Sequence, residues 1–385
     1  MLEIVLYTSF AFIFYTYVGY PSLLYIWSLL RDRPIFSHPS DGLPKISFLI
    51  AVFNEEDIIL DKLENIKNMD YPAHLLEILI GSDSSDDETN LLITNSNIEN
   101  LKLIPFSERR GKSAVLNDLA EIATGEIFAF SDANSMFASD ALKKLIEPFS
   151  DNSIGGVIGN LSFDLTNIDN PGGIGETIYF KYENIIKLLE GEIYSTIVAN
   201  GAVYAIRKEL YSFIPIYKLV TDDMFIPLSI VKQGYRIIFR KDVKVTETPS
   251  LSIREEYQKK SRVVTGGMEV VRLFGLLLNP KYGFISFALW SHKIFRWSIP
   301  LFLTAAYIAN VLTVIQYGKF IELLVFQSLF YLAALIGMIF EKSNIKILPL
   351  RLIYYFVTVN IAVVLGFLRF LRGTERATWQ RTRRR

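Results

Sequence analysis

Carboxylates and cations in this chain are clustered in a way that isolated turns do not require. Asn54-Glu55, Asp83 with Asp86 and Asp87, Arg109-Arg110-Gly111-Lys112, Asp132 with Asn134, and Thr221-Asp222-Asp223 each stand at or beside the end of an apolar run. One such cluster is a turn. Several converging on one sheet edge make a site for an anionic, metal-chelated ligand, because open α/β sheets bind ligands at the carboxyl ends of their strands. The bland alternatives are a polar turn for Ser131-Asp132-Ala133-Asn134 and, for Asp222 and Asp223, carboxylates that complement a helix dipole. Gly111-Lys112-Ser113 invites a P-loop reading, but position 106 is Phe106 where that motif needs glycine, so a nucleoside triphosphatase is rejected. Lys112 and its arginine neighbours remain as cations for a diphosphate.

The elements that must position these groups follow from periodicity. Short apolar runs at 46–53, 75–80, 101–106 and 127–130 alternate with helical patterns, among them 112–123 and the stripe Ile59, Leu63, Ile66 and Met69. Such alternation predicts βαβ units and a mainly parallel sheet. Beyond Asp151 the pattern loosens: strands at 155–163, 202–206 and 235–245, helices at 175–189 and 222–232, and an interfacial helix over 255–271.

Hydrophobic residues make up 51% of the 385 residues and are concentrated at the two ends, which predicts membrane segments around a soluble middle. Residues 4–30 carry no charge and form one span, with Pro21 able to kink it; Arg31 and Arg33 follow and place the middle of the chain in the cytoplasm. Three further spans are expected at 297–315, 320–340 and 352–371, whereas 274–289 is broken by Asn279, Pro280 and Lys281. The expected organisation is therefore an N-terminal span (1–33), a soluble α/β domain (44–250), interfacial helices (251–296), C-terminal spans (297–371) and a basic tail (372–385). Four spans put both termini outside, while an arginine-rich tail prefers the inside; a re-entrant last segment or an extra span near 280–290 would reconcile the two. The formal net charge is zero, so no global field argues for nucleic acid. Cysteine is absent and the three histidines, His38, His74 and His292, are scattered, so any metal is a hard ion on oxygen ligands, Mg²⁺ or Mn²⁺.

Taken in order, Ala51-Val52-Phe53-Asn54-Glu55, Gly81-Ser82-Asp83, Gly111-Lys112-Ser113, Ser131-Asp132-Ala133-Asn134, Asn200-Gly201-Ala202 and Thr221-Asp222-Asp223 resemble the membrane-bound family 2 glycosyltransferases, which include polysaccharide synthases. The resemblance implies a GT-A fold and inverting transfer from a nucleotide-diphosphate sugar, commonly a UDP-sugar, to a lipid-linked or glycan acceptor. It implies that Ala51, Phe53 and Glu55 line the nucleoside pocket, that Asp83 hydrogen-bonds the base, and that Lys112 faces the phosphates. Asp132 is similar to the first aspartate of the family's metal motif. Asn134 replaces the second, which removes one negative charge from the site. Asp223 corresponds to the catalytic base, with Asp222 as the fallback, and Asn200, Gly201 and Arg262 to the acceptor side. Processive members resemble Q-x-x-R-W, but here Gln258 to Arg262 is followed by Val263, which cannot stack on a sugar ring. A nucleotide-sugar-binding subunit without turnover and a processive synthase are the competing expectations. A transporter is disfavoured by the scarcity of intramembrane charge.

Overall fold

A computed structural model describes residues 1–31, 42–164, 170–343 and 345–373. Arg33, His38 and all of the basic tail beyond Gly373 lie outside the described residues. The soluble part is built on one eight-stranded sheet in the order β3-β2-β1-β4-β7-β6-β8-β5. Its strands are β1 (Ile46–Val52), β2 (Leu76–Ser82), β3 (Leu101–Pro105), β4 (Ile127–Ser131), β5 (Met136–Phe137), β6 (Ile154–Phe163), β7 (Val203–Arg207) and β8 (Arg236–Glu247). Pairings β1/β2, β1/β4, β2/β3 and β6/β8 are parallel, and β4/β7, β6/β7 and β5/β8 antiparallel. Every residue of β1 and of β4 is buried. That is why these strands read as unbroken apolar runs: helices cover both faces of the sheet. The two-residue β5 leaves no periodic trace in the sequence.

The N-terminal helix has two parts, α1 (Leu2–Phe14) and α2 (Tyr20–Leu30), joined by a π-helical turn at Tyr15–Gly19. Pro21 accounts for the irregularity. It has no N–H to offer the Tyr17 carbonyl, and the Tyr182 hydroxyl donates to that carbonyl instead, at 3.0 Å.

The soluble helices are α3 (Ile59–Lys67), α4 (Thr89–Thr94), α5 (Lys112–Ile122), α6 (Ala141–Ile146), α7 (Pro171–Ile193), α8 (Asp222–Lys232) and α9 (Ile253–Leu273). α2 packs on α7, with Tyr20 and Leu24 buried against Ile186, Leu189 and Ile193. After α9 come short 3₁₀ turns, then α10 (Phe284–Ala288), a π turn at Leu289–Ile294 and α11 (Phe295–Tyr317) in one helical rod. The expected boundary at 296/297 therefore falls inside a continuous helix, Phe284–Tyr317. Its first turns escape a hydropathy reading because they carry His292, Lys293 and Arg296.

The chain closes with α12 (Ile321–Lys342) and α13 (Leu348–Arg372). Four helices are long and apolar enough to cross a membrane, one N-terminal and three C-terminal. α1 packs on α11 through stacked Phe12 and Phe302, and Glu3 pairs with Lys319 in the turn that follows α11. α11 meets α12 through an Asn310–Gln327 hydrogen bond of 2.7 Å. α13 differs: it runs parallel to the heavily charged α9. Tyr355 donates to Glu256 at 3.0 Å, and Thr265 donates to the Gly366 carbonyl at 3.0 Å. A Cβ on Gly366 would fall 2.7 Å from the Ser261 carbonyl oxygen, so only glycine permits this approach.

Candidate active site

β1, β2 and β4 run parallel with Val52 opposite Ser82 and Ile50 opposite Ser131, so the residues that follow each strand emerge at one edge. β7 is antiparallel to β4 with Val203 opposite Ser131, which brings the turn before it, Asn200-Gly201, to the same edge. Asp222 and Asp223 open α8, and the Asp223 carbonyl accepts from the Ala199 N–H at 2.7 Å. A cavity of about 1050 Å³ results, lined by Ala51, Glu55, Lys112, Asp132, Asn134, Asn200, Gly201, Asp222, Asp223 and Arg262 among others.

Phe53 and Asp83 do not line this cavity. Phe53 carries the Arg109 guanidinium over its ring, 3.5 Å from the centroid. Asp83 is fully buried and accepts from the backbone N–H of Arg110 at 2.7 Å and of Gly111 at 3.1 Å. Its carboxylate thus organises the turn that leads into α5 and aims Lys112. Asn54, at φ 52°, ties the β1 loop to the β2 loop, donating to Asp86 at 2.6 Å and accepting from the Asp86 N–H at 3.0 Å.

Lys112 lies between two carboxylates, 2.7 Å from Asp132 and 3.4 Å from Asp222. Burial disfavours its charge, but Asp132 and Asp222 outweigh burial and raise its pKa above the ordinary lysine value. Asp223 is displaced the other way. Burial first, and then Asp222, push its carboxyl up to about 6, against the pull of Lys112, Lys293 and Lys187. A carboxylate half-ionised near pH 6 suits a general base working at neutral pH.

Asn200 is held on both sides: its Nδ2 donates to the Gly159 carbonyl at 2.9 Å and its Oδ1 accepts from Lys187. Among the described residues no group of three or more histidine, cysteine, aspartate or glutamate side chains is arranged to hold a metal. The available donors are the Asp132 carboxylate and Asn134, whose buried Nδ2 has no hydrogen-bond partner. An amide's two ends are interchangeable by rotation, so this orphaned end fits a ligand or ion contact. Oxygen donors of this kind suit a hard divalent ion.

Two buried lysines belong to this region and were not anticipated. Lys62 donates to the Ser131 hydroxyl at 2.7 Å and to the Ser135 carbonyl at 2.5 Å, clamping both ends of the Asp132–Asn134 loop. Burial brings its pKa down to about 7, despite Asp132 and Glu247. Lys187, on α7, holds the Asn200 turn. Both signals existed in the sequence: Lys62 falls on the Ile59–Leu63–Ile66 stripe, and Lys187 sits one residue from Ile186 on the packed side of its helix.

Fold and cavity together define an α/β domain with a mainly parallel sheet, a polar cleft at its strand edge and membrane-length helices joined to it, and comparison with known proteins gives its family. Residues 47–204 match the Glycosyl transferase family 2 model and residues 127–368 the Glycosyl transferase family group 2 model. The second match spans more than half of the chain, which therefore belongs to the family 2 glycosyltransferases. A solved mannosyltransferase, PcManGT from Pyrobaculum calidifontis in complex with GDP-Man and Mn²⁺, shares the GT-A fold at a TM-score of 0.74 and 21% identity, covering 97% of this chain and 100% of that one. Beta-monoglucosyldiacylglycerol synthase of Trichormus variabilis is 34% identical over 131 residues, 33% of this chain and 28% of that protein. Poly-beta-1,6-N-acetyl-D-glucosamine synthase of Staphylococcus aureus is 27% identical over 242 residues, 60% of this chain and 56% of that protein. The chain thus spans 28% to 56% of the length of these two curated relatives.

Proposed function

We propose that this chain is an inverting glycosyltransferase that moves a sugar from a nucleotide-diphosphate sugar, of the UDP-sugar type, to a lipid-linked acceptor at the membrane. The observation that carries the reading is the arrangement of Asp223, raised to about 6, beside a Lys112 ammonium shared between Asp132 and Asp222. Asp132 and Asn134 would hold a Mg²⁺ or Mn²⁺ ion, which when bound neutralises charge on the diphosphate leaving group. Lys112 supplies a further cation to the same phosphates. Asp223 takes the proton of the acceptor hydroxyl as its oxygen bonds to the anomeric carbon. The bond from that carbon to the diphosphate oxygen breaks, and the nucleoside diphosphate leaves with the electron pair. Asp222 holds Lys112 in place and keeps Asp223 basic through like-charge repulsion.

Single transfer is favoured over polymerisation because Val263, not an aromatic residue, faces the cavity beside Arg262. Purified protein given Mn²⁺ and a panel of nucleotide sugars releases nucleoside diphosphate with one of them, and mass detection then identifies the product. Nucleotide binding without release from any donor would favour a binding subunit instead.

Arg31 and Arg33 after the first span favour a cytoplasmic catalytic domain. The pairing of α13 with α9, which carries Lys259, Lys260 and Arg262, supports α13 lying along the membrane surface rather than across it. Three crossings then leave the arginine-rich tail on the cytoplasmic side, in accord with its charge. Because the chain lacks cysteine, single cysteines at Gln316 and Ala377 test this cleanly. An impermeant thiol reagent outside intact cells labels the first and spares the second; labelling of Ala377→Cys from outside would restore a fourth crossing.

A further inference from the structure

The catalytic cavity does not end at Asp223. It continues past Lys187, Lys260, Lys293 and Arg296 to a far wall formed by Tyr17, Phe356, Val359 and Val363. Tyr17 belongs to the helix Leu2–Leu30 and the other three to Leu348–Arg372, both of membrane-compatible length and hydropathy. Three chemistries therefore follow one another along one space: carboxylates, then a collar of cations, then hydrocarbon.

The collar is short of anions. Lys187 is 3% exposed and makes no ion pair among the described residues; its ammonium donates to the Ala199 carbonyl at 3.3 Å and to Asn200. Lys260 has Glu256 at 3.5 Å and lies 3.6 Å from the Tyr179 ring centroid. Lys293, at 3.9 Å, and Arg296 share Glu183, which also meets His292. Among the described residues the ion pairs of these four cations run to two carboxylates, Glu256 and Glu183, while Asp223 faces Lys187 and Lys293 from the catalytic end. Glu190, the next carboxylate on α7, is engaged by Tyr20, Thr196 and His292. Burying cations without matching anions is costly unless a ligand supplies the charge. Burial and then Lys293 bring the Lys187 pKa down to about 7, against Asp223 and Glu190. A phosphate monoester carries about −1.5 to −2 at neutral pH and presents oxygens that several converging cations can share.

We propose that the acceptor half of this cavity binds a phosphate-bearing lipid, its phosphate in the Lys187–Lys260–Lys293–Arg296 collar and its hydrocarbon chain against Phe356, Val359 and Val363. The proposal rests on the glycosyltransferase reading for calling this half the acceptor side, but not for the binding itself. The phosphate is an anchor: it fixes the lipid so that the hydroxyl to be glycosylated lies at Asp223. An uncharged glycan end would leave the collar unmatched. Free phosphate would leave the apolar wall unused.

The test uses full-length protein in an uncharged detergent, with labelled farnesyl phosphate, farnesol and inorganic phosphate as probes. Farnesyl phosphate binds about tenfold or more tightly than farnesol, the worth of one charge-assisted contact, and inorganic phosphate does not displace it at equal concentration. The double variant Lys260→Gln, Lys293→Gln loses that preference, keeps its farnesol affinity, and binds nucleoside diphosphate with Mn²⁺ as the wild type does. Lys260→Arg with Lys293→Arg retains the preference, which separates charge from folding. Equal binding of farnesol and farnesyl phosphate, equal binding of inorganic phosphate, or a loss confined to the nucleotide would each overturn the proposal. If no nucleotide sugar is turned over, the reaction assigned above fails while these binding ratios still decide the lipid site.

Discussion

The strand edge and the helical half of the cavity are built on different principles. At the edge of β1, β2 and β4 the charged groups are close in sequence to the strand ends and are tied mainly to backbone, as Asp83 is to Arg110 and Gly111. In the helical half, polar groups from distant parts of the chain satisfy one another inside the packing: Tyr20 donates to Glu190, Glu183 and Glu190 flank the two ring nitrogens of His292, and Glu183 with Arg296 and Glu176 with Lys259 form ion pairs. The first arrangement leaves Lys112, Asp132 and Asp223 facing the cavity. The second fastens the helices to the catalytic domain. Changes at the edge should therefore remove chemistry without unfolding the protein, and changes in the helical network should unfold it before they touch the chemistry.

The largest effect expected among these variants is at the edge. Lys112→Met lowers kcat/KM about 10³-fold, in the range of losing one preorganised charge at a developing anion, and lowers the unfolding midpoint only modestly, through the partly exposed Asp132 and Asp222 it leaves without their shared cation. Steady-state kinetics beside thermal unfolding checks both halves of the statement. Next comes the network: Glu190→Ala strands His292, Tyr20 and Thr196 in a buried site and costs about 3 kcal/mol of stability, read from denaturation in detergent. An activity loss without destabilisation there would erase the distinction between the two regions. Asn134→Ala is smaller: it raises the Mn²⁺ concentration for half-maximal rate about tenfold, as loss of one neutral oxygen donor would. An unchanged metal requirement would leave Asp132 as the one contact of that pair. Tyr182→Phe removes the donor that replaces the missing Pro21 N–H and costs about 1 kcal/mol, with no change in KM.

The sequence made the edge readable because buried parallel strands are continuous apolar runs that stop abruptly at polar loops, as 127–130 stops at Ser131-Asp132. The helical network was opaque for the opposite reason. Glu183, Glu190, His292 and Arg296 look like ordinary helix charges until folding brings them together across about a hundred residues of chain. The same charges hid the start of the helix at Phe284, since hydropathy counts Lys293 and Arg296 as solvated when both face Glu183. Asp83 and Phe53 carry a further lesson. The resemblance implies a place for both at the nucleoside pocket, and in the fold Asp83 is bonded to the loop backbone and Phe53 lies under Arg109. Position at a strand end indicates neighbourhood, and burial decides which way a side chain is used.

The central claim is that Asp223 is the base. Its carboxyl, raised from 3.8 to about 6, carries a linked consequence for stability. A carboxylate whose folded pKa is raised costs stability above that pKa, near 6, and costs nothing below the unfolded value near 3.8. Asp223→Asn should therefore gain stability at pH 8, by up to about 3 kcal/mol, and gain none at pH 3. The deciding measurement is nucleoside diphosphate release against pH, with Mn²⁺ and donor saturating, for wild type and Asp223→Asn. The wild-type rate rises about tenfold per pH unit below 6 and levels above it, while the variant is down at least about 10³-fold and flat. A variant that keeps wild-type rates, or a wild-type profile with no inflection near 6, would contradict the account.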